Sequence, residues 1–327
     1  MPVFDSAATF PIISLIKKTA TQDEINYLKV KSLDFPDLKS LILSTSKKLP
    51  KSAINVDSWR VSEDLKGDVM LEKLRNGSQK LVDYTEGKIL RGIVTGLNEA
   101  FIINEAKRNE LILKNARSME IITPLLNGND VRKYRTDYKK NYLIVTKLGI
   151  EIEQYSAVFD HLKQYQAQLE KRLDQGNHLW ELRSCAYYDS FETPKILYPY
   201  IALESRFTLD YENFYLNATL FCIPKEDKYL LALLNSRARW FYLSKVCPVL
   251  GDSSKRGRLG LKTVYLEELP IKLTNNQAPF IEKVNQILDL KKEDSKADTS
   301  ELEAEIDRMV YKLYELTEEE ILIVEGK

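Results

Sequence analysis

The sequence predicts an α+β fold, in which a segment of mixed short strands and helices is followed by an α-helical hairpin. Three observations support this class. Short strand-like runs alternate with turns from about Gly87 onward, helical periodicity replaces them after Pro270, and a composition of 44 % hydrophobic and 29 % charged residues supplies a sizeable core. With about 100–200 residues per domain, a chain of 327 residues is expected to form two or three structural units.

The N-terminal segment is predicted to begin with a buried strand, because Phe10–Ile16 is a short apolar run. A short helix is expected around Leu38–Leu43. The tract from Leu49 to Arg60 is expected to be extended or loop-like, since its proline and Asn-Val-Asp sequence interrupt any helical period. A further helix is predicted over Leu65–Leu74, ending near Asn76-Gly77.

The central segment is predicted to consist of short strands interrupted by two helices. One helix is Ala157–Arg172, whose apolar residues recur at three- and four-residue spacing, and the other is Lys228–Val246, which is strongly apolar on one side. The predicted strands are Phe101–Ile103, Tyr142–Val145, Lys195–Tyr198, Tyr215–Phe221 and the surroundings of Tyr265-Leu266.

The C-terminal segment is predicted to be a helical hairpin with a short last helix. Its first arm is Phe280–Leu290, and the polar stretch Lys291–Thr299 is the turn. The pair Ser300–Glu303 has the capping-box pattern that begins the second arm, and Thr317–Glu320 repeats this pattern at the last helix.

The charges are unevenly distributed, although 48 basic and 48 acidic side chains cancel over the whole chain. Residues 293–327 contain 4 Lys or Arg against 12 Asp or Glu, which leaves a net charge of +8 on residues 1–292. A polyanion responds to the local surface field rather than to the sum over the chain. The first 292 residues are therefore compatible with nucleic-acid binding, whereas the acidic C-terminal helices are not expected to touch DNA.

Several kinds of site are disfavoured because the residues they need are few or wrongly spaced. Three cysteines without a CxxC pair exclude a disulfide scaffold or a cysteine zinc ribbon and fit a reducing cytosol. Two histidines, His161 and His178, lack the spacing of a zinc site. No GxSxG, GxxxxGK(S/T) or GxGxxG pattern occurs. Since no apolar run reaches the length of a membrane span and no secretory signal is visible, we expect a cytoplasmic protein with no membrane partner.

A metal-dependent nuclease site is one alternative that the sequence brings up. Asp37, followed far downstream by Glu86 and Lys88, superficially fits a PD…ExK pattern, in which carboxylates and a lysine surround a divalent ion. The same ExK spacing recurs at residues 105–107, 226–228 and 325–327. Chance therefore explains the pattern in so highly charged a chain.

Two loops combine cations with tyrosines or small residues. Residues 131–140 contain five cations, one carboxylate and two tyrosines, and residues 253–262 contain four cations and no acid. Lys and Arg neutralise phosphates, hydroxyls and exposed amides fix the register on a nucleic-acid backbone, and Arg also reads guanine in the major groove. The pattern indicates that the chain binds a polyanion, and we expect both loops to meet on one concave face shaped for a duplex.

A series of motifs in fixed order carries a family resemblance. Residues 91–103 read RGIVTGLNEAFII, residues 124–134 read PLLNGNDVRKY, and further blocks lie at 179–199, 233–236, 265–271 and 306–321. Together they resemble the TaqI-like C-terminal specificity domain, the target-recognition part of adenine-specific DNA methyltransferases and type IIG restriction–modification enzymes. The resemblance extends roughly from Trp59 to the C-terminus. In its last block Glu315 replaces the usual Gly, which we expect to alter the turn there.

The resemblance implies a division of the chain into three parts. Residues 1–85 would be an N-terminal α/β segment, namely the end of a methyltransferase domain plus a linker, residues 86–272 a mixed-strand target recognition domain, and residues 273–327 a helical hairpin like those of type I specificity subunits. Such enzymes also carry a glycine-rich S-adenosylmethionine motif and an NPPY-type tetrapeptide, and this sequence contains neither. The resemblance thus implies that this chain is a sequence-specific double-stranded DNA recognition module without a catalytic site or cofactor of its own. The parent enzyme would be an adenine-N6 methyltransferase that uses S-adenosylmethionine and either cleaves or only modifies DNA.

DNA contacts are expected from the two basic loops and from three further cations, with no catalytic or metal-binding residue. The candidates are Arg132, Lys133, Tyr134, Arg135, Lys255, Arg256, Arg258, Lys107, Arg183 and Arg206. The expected partners are double-stranded DNA, the catalytic domain of the same protein, and another subunit through the C-terminal helices. Two alternatives stay open: a structural module that docks a partner through these helices, and a fragment with residual methyltransferase or nuclease activity.

Overall fold

The computed structural model describes residues 23–30, 34–50, 54–55, 60–61, 64–250 and 257–327. The chain divides into two compact units, residues 1–70 and residues 71–327. The predicted strand Phe10–Ile16 lies outside the described residues. The boundaries inferred from the sequence at residues 85 and 272 stay predictions.

The described part of the first unit contains two small antiparallel strand pairs and a helix. Its elements are β1 (Glu24–Tyr27), paired with β2 (Lys47–Pro50), α1 (Leu38–Thr45), and β3 (Ile54–Asn55), paired with β4 (Arg60–Val61). Asp37 begins α1, because its side chain accepts a hydrogen bond of 2.8 Å from the Ser40 amide. The helix α2 (Leu65–Arg75) runs across the division between the units. The predicted helices at Leu38 and Leu65 are confirmed.

The second unit consists of short strands and helices that alternate along the chain. Its strands are β5 (Gln79–Lys80), β6 (Leu90–Arg91), β7 (Ile102–Asn104), β8 (Ile122–Leu126), β9 (Val131–Arg132), β10 (Arg135–Thr136), β11 (Asn141–Ile144), β12 (Lys195–Pro199), β13 (Ile201–Ala202), β14 (Thr208–Asp210), β15 (Tyr215–Leu216), β16 (Leu220–Ile223), β17 (Val249–Leu250), β18 (Arg258–Gly260) and β19 (Pro270–Ile271). Its α-helices are α3 (Leu81–Tyr84), α4 (Asn98–Phe101), α5 (Glu105–Lys114), α6 (Ser156–Lys163), α7 (Gln166–Leu169), α8 (Lys228–Asn235), α9 (Arg237–Val246), α10 (Thr263–Glu267), α11 (Ala278–Glu293), α12 (Ser300–Leu313) and α13 (Glu318–Glu325). The predicted α+β class, with mixed strands before C-terminal helices, is confirmed.

Two four-stranded sheets organise this unit. The first sheet has the order β15–β8–β11–β7, in which β15 and β8 are parallel and the other pairs antiparallel. The second sheet has the order β14–β12–β16–β6 and is antiparallel throughout. A three-stranded sheet, β13–β18–β17, and the hairpin β9–β10 extend from them. All five residues of β12 are buried, because the second sheet is covered on both faces.

The C-terminal helices pack against two earlier helices of the same unit, α8 and α9. α11 contacts α8 and α12, while α12 and α13 contact α9. The apolar stripe of the helical hairpin is buried in these contacts, through Phe280, Val284, Ile287, Ile306 and Val310. The stripe is thus covered within the chain itself, a packing that the sequence pattern does not reveal.

Both long helices predicted for the central segment are divided. The stretch Ala157–Arg172 forms α6 and α7, which are separated at Gln164-Tyr165. Lys228–Val246 forms α8 and α9, because Ser236 has extended backbone geometry and its hydroxyl accepts a hydrogen bond from the Arg239 amide. The apolar run therefore forms two helices instead of one, because Ser236 ends the first and caps the second.

Of the three local predictions that concern α10, α12 and α13, two are wrong and one is confirmed. The region around Tyr265-Leu266 is the helix α10 rather than a strand. Ser300 does not cap α12: its amide donates to Asp298, and Thr299 is the residue whose hydroxyl bonds to Glu303. Both hydrogen bonds of the predicted Thr317–Glu320 capping box are present.

Glu315 adopts the left-handed backbone conformation that a glycine would take at the end of α12, with φ +54°. The Leu316 amide donates to the Tyr311 carbonyl at 3.0 Å and the Glu315 amide to the Lys312 carbonyl at 3.1 Å. These are the two bonds of a Schellman turn. The expectation that glutamate alters this turn is therefore wrong, because the turn forms with glutamate in place of glycine.

Candidate nucleic-acid interface

The loops that follow β8, β12 and β15 leave the two sheets at a common edge. Leu126, the last residue of β8, lies beside Leu216 of β15, and Pro199, the last residue of β12, lies opposite Leu220. Arg91, which ends β6, lies opposite Phe221. We call this surface the strand-end edge and define it by Arg91, Asn127–Asp130, Tyr200–Ile201 and Asn217–Thr219.

Hydrogen bonds hold the strand-end edge together through the loop Asn217–Thr219. Arg91 Nε donates to the Ala218 carbonyl at 3.2 Å, Gly128 N donates to Thr219 Oγ1 at 2.9 Å, and Tyr200 N donates to the Thr219 carbonyl at 2.8 Å. Within the loop, the Asn217 side chain accepts from both the amide and the hydroxyl of Thr219. One polar loop thus fixes three neighbouring segments, which gives the edge a defined shape before any ligand binds.

Gly92 permits the closest backbone approach at this edge. A Cβ atom at this position would lie 2.1 Å from the Asn217 carbonyl oxygen, so no other residue fits without a shift of the backbone. Ile93 N donates to the Leu216 carbonyl at 2.6 Å, which joins β6 to the first sheet. The glycine of the first sequence block therefore brings Arg91 against the loop Asn217–Thr219.

The hairpin β17–β18 extends the edge and carries Arg258. In the antiparallel register Ile201 pairs with Gly260, and Leu250 pairs with Arg258. Because alternate residues of a strand share one face, Ile201, Leu250 and Arg258 lie on the same face of the three-stranded sheet. Arg258 is exposed and makes no ion pair within the part of the chain that the structure describes. The candidates Lys255 and Arg256, between β17 and β18, lie outside the described residues.

The hairpin β9–β10 brings two of the predicted cations side by side. Arg132 and Arg135 are register partners, and both form ion pairs with Asp137. Arg132 also donates to the Asn129 carbonyl at 2.5 Å, which ties the hairpin to the strand-end edge. The two guanidinium groups share one carboxylate, so this hairpin carries a net positive charge.

The turn of that hairpin contains two predicted contact residues, of which Lys133 is partly exposed and Tyr134 is buried. Lys133 is paired with Glu303 of α12, at 2.5 Å between Nζ and Oε2. Tyr134 is 3 % exposed, and burial, together with the nearby carboxylates of Glu303 and Asp307, raises the pKa of its phenol well above the usual range. The expected contact between Tyr134 and DNA is wrong for this structure, because its ring is enclosed beneath the acidic C-terminal helices.

The three remaining candidates occupy different surroundings. Arg206 precedes Phe207, whose carbonyl accepts a hydrogen bond from Tyr134 N, so Arg206 lies beside the β9–β10 turn and pairs with Glu204. Lys107 lies on α5 and pairs with Glu110. Arg183 lies at the opposite end of the first sheet, because Leu182 N donates to the Thr146 carbonyl beyond the end of β11. The structure therefore does not bring Arg183 together with the other candidates.

Sequence reasoning missed Arg91 and Thr219 as members of this surface. Both are exposed in the structure. Arg91 stands directly before Gly92 at the start of the first sequence block, and that position was the available signal. Thr219 has no sequence signal, since its place depends on bonds to Gly128 and Tyr200, which are distant in the chain.

The residues considered for metal or nuclease chemistry have other partners. Glu86 pairs with Lys88 at 3.2 Å, and His161 is buried with its Nε2 3.0 Å from the Ala100 carbonyl. Among the described residues, no group of three or more His, Cys, Asp or Glu side chains is arranged to hold a metal ion. Nor does that part of the chain contain a helix both long and apolar enough to cross a membrane.

The sequence of the central part of this surface is similar to a known family of domains. Residues 123–271 match the TaqI-like C-terminal specificity domain. This specificity domain contains β8 to β19, and with them both hairpins of the candidate interface. The predicted resemblance is confirmed for this segment, whereas the first and last motif blocks, at residues 91–103 and 306–321, fall outside it.

Two of the solved structures that are similar to the chain are a restriction–modification enzyme and a restriction endonuclease. One is the type IIL restriction–modification enzyme MmeI in complex with DNA, with a TM-score of 0.55 and 12 % sequence identity, over 91 % of this chain and 39 % of that chain. Another is the type IIG restriction endonuclease BpuSI, with a TM-score of 0.43 and 14 % identity, over 82 % of this chain and 35 % of that chain. The MmeI likeness shows that the fold around the specificity domain is shared. This chain spans about two fifths or less of the length of either protein, and no curated protein matches it.

Proposed function

We propose that this chain is a sequence-specific double-stranded DNA recognition module of a restriction–modification enzyme, and that the strand-end edge with its two hairpins is the surface that meets DNA. The proposal is supported by the positions of Arg91, Arg132 and Arg258, each of which lies on a segment that adjoins the strand-end edge, next to or within the specificity domain. Arginine side chains neutralise phosphates and also read guanine by paired hydrogen bonds. The edge therefore combines the two chemistries that specific DNA binding needs.

The hairpin β17–β18 suits base recognition better than the other parts of this surface. In the major groove of B-DNA, arginine reads guanine by paired hydrogen bonds and apolar side chains contact the thymine methyl group. Arg258 and Ile201 share one face of the three-stranded sheet, and Lys255 and Arg256 precede Arg258 in the sequence between β17 and β18. The hydroxyl of Thr219 and the cations Arg91 and Arg132 are better suited to backbone contacts, which position a protein without reading sequence.

The finer part of the proposal concerns the parent enzyme. The motif resemblance supports an adenine-N6 DNA methyltransferase of type IIG-like organisation, which acts in the cytoplasm and uses S-adenosylmethionine bound outside this chain. Chemistry on a base requires its extrusion from the duplex at a cost of a few kcal/mol, and a recognition module grips the flanking base pairs meanwhile. In this proposal the chain binds the DNA around the target base, and the other part of the protein transfers the methyl group.

Fluorescence anisotropy on defined duplexes tests the binding claim. We expect the affinity to fall at least about tenfold between about 50 mM and 200 mM salt, because bound phosphates release counterions. The triple variant K255Q/R256Q/R258Q is expected to bind more weakly. The matched control K296Q/R308Q/K312Q removes the same charge from exposed sites on or next to the acidic helices and should bind at least half as well as the wild type. Binding that ignores salt, or equal losses in both triple variants, would contradict the proposal.

Calorimetry with S-adenosylmethionine separates the proposal from the enzyme alternative. We expect no heat of binding with this chain alone, because the proposed cofactor site lies in another part of the parent protein. Binding at micromolar concentration would assign methyl-transfer machinery to this chain and overturn that part of the proposal.

A further inference from the structure

The turn of the β9–β10 hairpin is seated on the acidic helix α12. Lys133 Nζ lies 2.5 Å from Glu303 Oε2, and both side chains are only about a quarter exposed, at 28 % and 24 %. Glu303 is itself held, since the buried Thr299 hydroxyl donates to its other oxygen, Oε1, at 2.7 Å. The carboxylate therefore has one fixed direction, and it points at the hairpin.

Tyr134, the second residue of this turn, has a backbone conformation that only the surrounding structure can maintain. Its φ of +62° lies in the left-handed region, which disfavours a side chain with a Cβ atom. Its amide donates to the Phe207 carbonyl at 3.0 Å, and its ring is 3 % exposed. A residue in such a conformation persists when its neighbours determine it from several sides. Glu303 and Phe207 are two of these neighbours.

The strands on either side of this turn carry the two arginines of the hairpin. Arg132 and Arg135 are register partners directly adjacent to Lys133 and Tyr134. A two-residue turn sets the twist of the strands that it joins. Any loosening of the turn therefore redirects both guanidinium groups relative to the strand-end edge.

We propose that Glu303 is a positioning residue for DNA recognition, which acts by fixing Lys133 and thereby the directions of Arg132 and Arg135. This inference rests on the proposed function. It assigns the acidic C-terminal helices a part in recognition although they carry the wrong charge to contact DNA. It also predicts an effect of unusual sign, because removing a negative charge near a DNA-binding surface should otherwise strengthen binding.

Anisotropy with the full chain and a bound duplex tests this sign. The variant E303A removes the contact to Lys133, and E301A removes an equal charge from an exposed site on the same helix. We expect E303A to bind about fivefold more weakly than the wild type and E301A to bind equally or slightly more tightly. E303D keeps the charge but cannot span the same distance, so it should also bind more weakly. If E303A binds as tightly as E301A, Glu303 does not position the hairpin.

A charge-reversed pair distinguishes positioning from a direct contact of Lys133 with phosphate. K133E/E303K re-forms the ion pair with its ends exchanged, and we expect it to recover most of the affinity that K133E loses. If Lys133 itself contacts DNA, the double variant stays as weak as K133E, and the inference fails.

Two controls keep the outcomes separate. Thermal unfolding should be nearly unchanged in E303D, because a partly exposed ion pair contributes little to stability. A wild-type chain without salt-dependent DNA binding would refute the proposed function itself. A wild-type chain that binds, with E303A and E303D both unimpaired, would refute only the role of Glu303.

Discussion

The guanidinium of Arg172 donates a hydrogen bond of 2.6 Å to the backbone carbonyl of Thr95, 77 residues earlier in the chain. The same side chain donates to the carbonyls of Leu179 and Glu181, and it is 6 % exposed. Gly96 lies directly against it, since a Cβ atom there would be 2.5 Å from Arg172 Cδ. One buried cation thus joins the first sequence block to the central one.

Arg172→Lys should destabilise the second unit by roughly 2–4 kcal/mol, because a lysine ammonium cannot reach all three carbonyls and a buried acceptor left unpaired costs about 1–3 kcal/mol. Urea unfolding followed by fluorescence measures this change. The neighbouring Lys171 is exposed, and Lys171→Ala should change the free energy of unfolding by no more than about 0.5 kcal/mol. Equal effects of the two substitutions would mean that Arg172 does not hold the blocks together.

Glu315→Gly should stabilise the protein by about 1 kcal/mol, because glycine adopts the left-handed conformation at Glu315 without steric cost. The ion pair that is lost, to Lys272 at 3.5 Å, involves a glutamate side chain that is 83 % exposed and contributes little. Glu315→Ala removes the same charge but keeps a Cβ atom, so it should bring no gain. A similar gain in both variants would show that charge, not backbone strain, limits stability here.

His161 should make the stability of the second unit depend on pH. Burial is the main cause that lowers the pKa of its imidazole below the ordinary value near 6.5, and the ring lies beside the Ala100 carbonyl. The unfolded chain therefore binds more protons than the folded one between the lowered pKa and about 6.5, so this contribution to stability is lost as the pH falls through that window.

The variant His161→Gln should flatten the fall of the unfolding free energy between about pH 7.5 and pH 5.5, because it removes the titrating group. Urea unfolding at several pH values measures the slope. His178→Gln replaces an exposed histidine and is the matched control. If both variants flatten the slope equally, His161 is not its source.

Arg91→Gln should weaken DNA binding and reduce the slope of log affinity against log salt by about 1, as expected for the loss of one phosphate contact. Its side chain is exposed beside Ala218 at the strand-end edge. Lys171→Gln removes an exposed charge next to Arg172 that is not among the residues of this edge, so it serves as the control and should leave the slope unchanged. A larger loss in Lys171→Gln than in Arg91→Gln would contradict the assignment of the interface to the strand-end edge.

Sequence reasoning succeeds where a signal is local. The capping box Thr317–Glu320 is such a case, because both of its bonds lie within four residues. The apolar run Lys228–Val246 shows the limit, since its hydrophobicity predicts one helix while the extended geometry of Ser236 makes two. The residues Tyr265-Leu266 are apolar enough for a strand, but the helix α10 forms there instead.

The candidate site is predictable only in part, because some of its residues contact partners that are distant in the sequence. The basic character of residues 131–140 is visible in the sequence, and Arg132 and Arg135 do lie on one hairpin. The partner of Lys133 is 170 residues away, so no local pattern indicates that this cation faces an acidic helix. The sequence around Tyr134 does not indicate that its ring is buried, because the residues that bury it are distant in the chain.

The packing of α11 to α13 limits how the matched segment, residues 123–271, can be exchanged between proteins that carry a similar domain. The segment that matches the specificity domain ends at Ile271, yet Lys133 and Arg237 within it have their acidic partners in α12. Pro270 within it also pairs with Lys80, which lies before it. If only residues 123–271 were transferred, Lys133 and Arg237 would lose their acidic partners, and the apolar faces of α8 and α9 would be exposed. An exchangeable cassette therefore has to run from about Gln79 through the last helix.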